Sequence, residues 1–251
     1  RGVLDNVDIA MMVHPDGDDT ATTQALASIG LDVEFFGKAA HAAANPEMGI
    51  NALEAMLQSF VAINSLRQHI KSTARIHGII TDGGEAANVV PAHSAGSFLV
   101  RAKDDAYLNE LKEKVLNCFV GAATTTGARL EYQWGKGRYT PLKNNLTLAR
   151  LFRKNMQSLR RKVLLADPSK AFGSTDMGNV SQIVPSIHPH VAIAAKEVVG
   201  HSPEFAAAAA SETGIKGMLD GAKAMAMTVI DLVASPEIVS RVKWEFGKVN
   251  D

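Results

Sequence analysis

The sequence predicts a mixed α/β (α+β) protein in which a small domain is inserted into a larger one. Two patterns predict it: apolar and polar residues alternate in segments typical of half-buried strands, and apolar residues recur at helical spacing in segments typical of amphipathic helices. Between residues 30 and 137 these segments follow the order strand, helix, strand, strand, helix, strand, which is the ferredoxin-like βαββαβ pattern. Residues 30–137 are therefore predicted to be the insert, and residues 1–29 and 138–251 the α/β domain that it interrupts.

Each element of the insert has its own signal. A strand is expected from Leu31, because apolar residues alternate there with acidic ones. A helix is expected to begin at Asn45 and Pro46, a capping residue followed by a first-turn residue. Gly127 is expected to end the second helix, since glycine readily adopts the left-handed conformation found there. The remaining predictions are strands over 74–80 and 94–102, a helix from Asp105, a strand from Leu130 and an exit turn over 135–137.

The flanking domain is predicted from longer segments. An apolar run over residues 7–13 indicates a buried strand that stops at a polar turn beginning with His14. In open α/β sheets, functional sites are built in the turns that follow the carboxyl ends of strands. Helices are predicted over 146–159, over 212–234 and from Glu237, with a strand near 190–195.

Composition excludes several classes of protein. The chain has 26 basic and 26 acidic residues and a formal net charge of +0, whereas a nucleic-acid-binding protein carries a basic excess. Its one cysteine, Cys118, excludes a disulfide scaffold. The most apolar long stretch, 206–234, is interrupted by charged residues and is not a membrane span, and no signal segment follows Arg1. The sequence therefore predicts a soluble, cytoplasmic protein that binds neither nucleic acid nor membrane.

Three histidines are candidate functional residues. His14 and His201 each lie in a polar segment directly after an apolar, strand-like run. A neutral imidazole in such a position is either a ligand for a divalent metal ion or an ordinary loop residue. His41 lies among small residues between a strand and a helix, where another surface can approach closely, and it also has both a functional and a structural interpretation. The roles of His188 and His190 stay open.

Arg101 and Asn88 are candidate substrate-binding residues. Arg101 ends a strand on a face of mostly small and apolar residues, where its guanidinium either binds a carboxylate in two places or pairs with a neighbouring acid. Asn88 lies between two strands that are expected to pair, and its side chain is either a hydrogen-bond donor or a turn cap.

Taken together, these segments resemble the peptidase M20 family, the aminoacylase and glutamate-carboxypeptidase group of metallopeptidases. The insert resembles the dimerisation or lid domain of that family. Within the family, the branch of p-aminobenzoyl-glutamate hydrolase and the Xaa-Arg or β-alanyl-lysine dipeptidases is the most similar. The resemblance depends on several separated segments that occur in the family's order: 37–42 followed by Asn45 and Pro46, 88–91 followed by Arg101, 173–181, and 201–205.

The resemblance implies an incomplete zinc-peptidase-like α/β catalytic domain and a role for each candidate residue. His14 and His201 would be metal ligands, at a site that holds two divalent ions such as zinc, manganese or cobalt. His41 would reach into the site of a partner subunit in a homodimer and stabilise the oxyanion, and Asn88 would contact the substrate or the oxyanion. Arg101 would bind the terminal carboxylate of an N-acyl amino acid or dipeptide, whose amide bond the protein would hydrolyse.

One departure from the family bears on activity. The family's bridging aspartate and its Glu-Glu pair, which supplies the general base, should precede His14, and residues 1–13 contain neither. Three interpretations follow: the chain is part of a longer metal-dependent amidohydrolase, it is a natural short form that acts as a dimerisation module, or it binds carboxylate ligands without hydrolysing them. We expect the first, and expect this chain to be inactive on its own.

Overall fold

A computed structural model describes residues 2–165 and 173–248 of the chain. The chain divides into two compact units, called unit 1 (residues 1–25 and 141–251) and unit 2 (residues 26–140). Within the described residues, no helix combines the length and the apolar character that crossing a bilayer requires.

Unit 2 is an antiparallel four-stranded sheet covered on one face by two helices. The strand order is β4-β5-β3-β6, which confirms the ferredoxin-like arrangement predicted for the insert. Its elements are β3 (Ala27–Phe36), α1 (Ala52–Arg67), β4 (Arg75–Asp82), β5 (His93–Ala102), α2 (Asp105–Thr126) and β6 (Arg129–Tyr139).

The core of unit 2 follows from the alternation in its strands. Leu31, Val33 and Phe35 of β3 are almost completely buried, whereas the acidic residues between them are exposed. From β5, the Phe98 ring packs against the ring of Phe119 in α2, with centroids 4.9 Å apart. The period-two pattern therefore separates a helix-covered face from a polar face.

Three boundaries in unit 2 test the predicted turn signals. The side chain of Asn45 makes no capping hydrogen bond, and only a short 3-10 turn, Pro46–Met48, follows it. The helix α1 begins at Ala52. It is capped by Asn51, whose Oδ1 accepts from the Glu54 amide at 3.0 Å. The predicted start was wrong because a proline-led turn intervenes. The predicted exit turn at 135–137 was also wrong, because these residues continue β6. Gly127 ends α2 with a φ of 76°, as predicted.

Unit 1 is built from two segments of the chain that are far apart in sequence. β1 (Ala10–Met11) pairs in parallel with β7 (Ser186–Ile187), and β2 (His14–Asp16) pairs in parallel with β8 (His190–Ala192). The Leu142 amide also donates to the Ala25 carbonyl, at 3.4 Å. The described residues of the second segment form five helices: α3 (Leu146–Ser158), α4 (Met177–Val180), α5 (Pro203–Ala209), α6 (Glu212–Ala234) and α7 (Pro236–Lys248).

The apolar run 7–13 was predicted to be one strand ending before His14. The structure instead has two short strands, and His14 lies inside the second, paired with His190. The prediction failed because the pairing partners of these strands, and not the apolar character of the run, determine where the strands lie.

A buried ion cluster ties the loop after β2 to β8 and α6. Arg161 donates from Nη1 to Asp19 at 2.8 Å, from Nε to Asp220 at 2.9 Å, and from Nη1 to the Ala192 carbonyl at 3.2 Å. The side chains of Arg161, Asp19 and Asp220 are 12%, 11% and 9% exposed. Charges at this depth are costly unless they are paired, so the three residues depend on one another.

Candidate active site

The first candidate site is a group of three histidines in unit 1. The parallel register of β2 and β8 sets His14 beside His190, with ring centroids 5.1 Å apart. His188, just before β8, completes the group, with its ring 5.6 Å from that of His14 and 5.7 Å from that of His190. Sequence reasoning selected His14 and left the other two open.

The His14 ring is oriented by a hydrogen bond to the backbone. Its Nδ1 lies 2.7 Å from the Pro15 carbonyl oxygen. Because a carbonyl can only accept, Nδ1 carries the proton and donates it, which leaves the Nε2 lone pair available. An imidazole that binds a metal ion through one ring nitrogen typically donates a hydrogen bond from the other, as Nδ1 of His14 does here.

His190 and His188 have contrasting surroundings. His190 pairs through Nδ1 with the carboxylate of Asp16, which also accepts from the Gly17 amide at 2.7 Å. The hydrogen bond from His190 is the main reason that the pKa of Asp16 is lowered. His188 is 3% exposed, and burial, with His190 and His14 nearby, lowers its pKa to about 4. Its Nε2 has no hydrogen-bond partner among the described residues.

His201 and the three histidines line one cavity of about 670 Å³ in unit 1. The backbone of His201 has a φ of 65°, a left-handed conformation that is uncommon for residues other than glycine and often marks functional sites. Ser202, the next residue, caps α5 by accepting from the Phe205 amide at 3.1 Å. His14 and His201, selected separately from the sequence, therefore reach the same cavity.

The donor atoms of these side chains do not form a complete metal site. Across residues 2–165 and 173–248, no three His, Cys, Asp or Glu side chains are arranged to hold a metal ion. His14 suits a ligand because of its free Nε2, and structural or catalytic metal sites use three or four protein ligands. Metal binding by His14 and His201 thus stays a prediction, for which the described residues supply part of a ligand set.

A second candidate site lies in unit 2, where two loops run side by side. His41 forms an antiparallel bridge with Val89, and the Ala42 amide donates to the Asn88 carbonyl at 3.0 Å. The Nδ1 of His41 accepts from the amides of Ala43 and Ala44, at 3.2 and 3.1 Å. A neutral His41 ring therefore carries its proton on Nε2, as a hydrogen-bond donor. The structure brings the segments of His41 and Asn88 side by side.

Arg101 lies near the C-terminal end of β5, whereas the loop that carries Asn88 leads into its N-terminal end at His93. It lies eight residue steps along the extended strand from His93, which corresponds to roughly 26 Å. Burial lowers the pKa of Arg101 below its ordinary value, and its Nε has no hydrogen-bond partner within the described residues. Within the described residues, Arg101 forms no ion pair. The structure therefore does not contain the pair with a neighbouring acid that was one of the two interpretations of Arg101.

Gly37 allows the segment that carries His41 to run against the next turn. A Cβ on Gly37 would lie 2.1 Å from the Ile50 carbonyl oxygen, and a backbone atom cannot move aside easily. We expect Gly37→Ala to lower the free energy of unfolding by about 1–3 kcal/mol, measured by urea denaturation. Gly121→Ala is the control, because nothing lies within 4 Å of its Cβ position and alanine favours the helix. Equal stability of the two variants would contradict the steric argument.

Comparisons with known proteins give the relatives and the fold of this chain. Residues 26–122 match the peptidase dimerisation domain of the M20 peptidases. The chain is 35% identical to the Xaa-Arg dipeptidase of Mus musculus over 250 residues, which is 98% of this chain and 57% of that protein. The chain is homologous to this dipeptidase, and the part of it that matches the M20 model is residues 26–122. It spans little more than half the length of this M20 relative.

Two further comparisons concern the same M20 branch and the fold. The chain is 35% identical to one of the p-aminobenzoyl-glutamate hydrolase subunits of Escherichia coli, over 57% of this chain and 30% of that protein. The crystal structure of an aminobenzoyl-glutamate utilization protein from Klebsiella pneumoniae aligns with a TM-score of 0.63 at 22% identity, over 76% of this chain and 51% of that one. At this identity, the structural match supports the M20 fold alone.

Sequence reasoning missed the part played by His188 and His190. The signal was present in the segment 187–190, where two histidines flank a proline directly after an apolar residue. Its meaning depends on the parallel pairing of strands only two and three residues long, which leave no periodic pattern in the sequence.

Proposed function

We propose that the protein containing this chain is a metal-dependent amidohydrolase or dipeptidase that hydrolyses the amide bond of N-acyl amino acids or dipeptides. The observation that carries the proposal is that His14 and His201, near opposite ends of the sequence, line one cavity of unit 1. The relatives, named as a dipeptidase and an aminobenzoyl-glutamate hydrolase, support the same reaction class.

The metal site of this protein would include His14 and His201. Imidazole nitrogens suit zinc, manganese and cobalt alike, so the residues do not select among these ions. A divalent ion, two per site in the M20 pattern, supplies Lewis-acid chemistry by activating water and polarising the scissile carbonyl. The remaining ligands and the general base would come from outside the described residues.

The substrate groups would be bound by residues of unit 2. The Nε2–H of His41 and the side-chain amide of Asn88 would donate hydrogen bonds to the oxyanion that develops at the carbonyl. Arg101 would bind the carboxylate of the substrate, because no acid is paired with its guanidinium within the described residues. The length of β5 between Arg101 and the His41 loop argues that one copy of the chain does not supply both to one small substrate. His41 would therefore serve a partner subunit.

If His41 serves a partner subunit, the protein must form a homodimer, which would associate through unit 2. β4 is an edge strand with exposed Ile79 and Ile80, and α1, which contacts β4, has Leu57 and Val61 exposed. Pairing of two β4 edges with packing of two α1 helices would cover these side chains with two-fold symmetry.

We expect Val61→Lys to convert the dimer into monomers, because Val61 is 64% exposed in the isolated chain and would be covered in the dimer. Sedimentation velocity measures the change in mass. Val120→Lys is the matched control, since Val120 is also exposed but lies on α2. A monomeric unsubstituted protein, or a dimer that survives Val61→Lys, would reject this interface.

The reaction is tested with the longest reading frame that contains this sequence. Product release from a panel of dipeptides and N-acyl amino acids is measured with zinc, manganese or cobalt. We expect turnover that His14→Ala and His201→Ala abolish and that His69→Ala, an exposed control, leaves intact. The 251-residue chain alone is expected to release no product. Absence of turnover under all conditions, or full activity of His14→Ala, would overturn the proposal.

The unpaired Nε of Arg101 also favours a second candidate function, a carboxylate-binding module without catalysis. Calorimetry separates the two functions. Dipeptide binding that needs no metal, is lost in Arg101→Met and is never followed by turnover would favour the binding module.

A further inference from the structure

The inference concerns His93, the first residue of β5, whose ring joins three strands of unit 2. Its Nδ1 lies 2.7 Å from the carboxylate of Asp82 at the end of β4, and its Nε2 lies 2.9 Å from the carboxylate of Glu34 in β3. Ionised carboxylates only accept hydrogen bonds, so both ring nitrogens must donate. The geometry is that of a protonated imidazolium held between two acids.

This ring is located where both substrate-binding loops begin. Phe36, the last residue of β3, pairs with His93 and contacts its ring at 5.1 Å between centroids. The segment that leads to His41 starts directly after Phe36, and the loop that carries Asn88 connects Asp82 to His93. His93 therefore contacts the last residue before each loop.

Beyond His93, the two loops are held to each other by a ladder of backbone hydrogen bonds. The Gly37 amide donates to the Ala92 carbonyl at 2.8 Å, and the Val90 amide donates to the Ala40 carbonyl at 2.9 Å. Asp82 also accepts from the Gly84 amide at 3.0 Å, which fixes the first turn of the Asn88 loop. A change at His93 would be transmitted along this ladder, because each rung contains residues from both loops.

We propose that protonated His93 is a positioning residue for His41 and Asn88: by holding Glu34 and Asp82 together, it fixes the base of the two loops that carry them. This proposal rests on the substrate-binding role proposed above for His41 and Asn88. Loss of one ring proton would leave a nitrogen lone pair facing a carboxylate. That carboxylate would move away, and the two loops would loosen.

The charges around His93 favour its protonated form. Asp82 and then Glu34 raise the pKa of His93 above its ordinary value of 6.5, against a smaller opposing effect of burial. On the far side of Phe36, Arg129 lies over the Phe36 ring at 4.3 Å, and it pairs with Glu131, the β6 neighbour of Glu34. The side chain of His93 is 36% exposed, so protons can exchange with solvent.

Nuclear magnetic resonance of the 251-residue chain tests the coupling without any need for turnover. The His93 ring and the Ala42 and Val90 amides are followed from pH 5.5 to 9. We expect both amide resonances to titrate with the same midpoint as the His93 ring, above about 6.5, the ordinary value for histidine. We expect His93→Gln to remove this component of the amide titrations. His69→Gln should leave it unchanged. Amide titrations that persist in His93→Gln, or amides that never follow His93, would overturn the proposal.

A second variant tests the proposal independently, in case His93→Gln does not fold. Asp82→Asn keeps the shape of the side chain but removes a charge, so we expect a lower His93 midpoint and faster hydrogen exchange at Ala42 and Val90 near pH 7. An unchanged midpoint and unchanged exchange would reject the role of Asp82. If the coupling is present but the longer protein hydrolyses nothing, the proposed reaction fails while the positioning role of His93 stands.

Discussion

His41→Ala is expected to lower kcat of the longer protein about 10²–10³-fold, which corresponds to roughly 2.7–4 kcal/mol of transition-state stabilisation. The two backbone amides that bind Nδ1 of His41 fix the neutral ring with its proton on Nε2. A donor held in this way costs no reorganisation when negative charge develops on the carbonyl oxygen. The measurement is steady-state kinetics on the best substrate of the panel.

The kinetic pattern separates His41 from a residue that only binds substrate. Arg101→Met should act mainly on KM, since a carboxylate distant from the reacting bond is held equally in the ground state and the transition state. His41→Ala should act mainly on kcat. A His41→Ala variant that changes only KM would contradict a role at the oxyanion.

Mixed dimers test whether His41 acts across the dimer interface. A 1:1 mixture of His41→Ala and His14→Ala chains would form heterodimers in which one of the two sites has intact groups. Random pairing then predicts recovery of about a quarter of the activity of the unsubstituted dimer. Absence of recovery, with heterodimers shown to form, would mean that each chain uses its own His41.

Arg161→Met is expected to destabilise unit 1 by about 3–5 kcal/mol, because removing the arginine of a buried cluster leaves the Asp19 charge without an ion-pair partner. Asp19 would lose its ion-pair partner, while Asp220 would keep Lys216, which binds it at 2.6 Å from an exposed position. The Asp19 carboxylate also accepts from the Ala192 amide at 2.8 Å. We therefore expect the end of β8, next to His190, to shift as well.

Urea unfolding of unit 1 can be measured separately. Trp244 lies in α7 of unit 1 and Trp134 in β6 of unit 2, so a Trp134→Phe background makes fluorescence report unit 1. Arg150→Met, an exposed substitution in α3, should change stability by no more than about 0.5 kcal/mol. If Arg161→Met and Arg150→Met were equally stable, the cluster would contribute little.

The fold of unit 2 could be predicted because its signals are local. Alternation along β3 and a capped, amphipathic α2 each occur within one segment, and their order defines the topology. The predicted start of α1 and the predicted exit turn at 135–137 were both wrong, because each prediction depended on a single local turn signal. Pro46 began a turn that did not continue as a helix, and glycines at 135 and 137 lay within β6, at an irregularity of its pairing with β3.

The candidate site could be predicted only in part. His14 and His201 were found from their positions after apolar runs, and the structure places both on one cavity. His188 and His190 were not assigned, because their proximity to His14 arises from parallel pairing between short strands distant in sequence. The contact between His93 and two acids was missed as well, since register across three strands decides it.

The interrupted construction of unit 1 has a consequence for synthesis on the ribosome. β1 and β2 emerge early, but β7 and β8, with which they pair, follow only after the whole of unit 2. Domains generally fold as they leave the exit tunnel, so unit 2 can complete its own core while the first 25 residues still wait for their partners. The histidine cavity can thus form only after unit 2 has been synthesised, and release of the chain before β7 and β8 would leave a folded unit 2 without it.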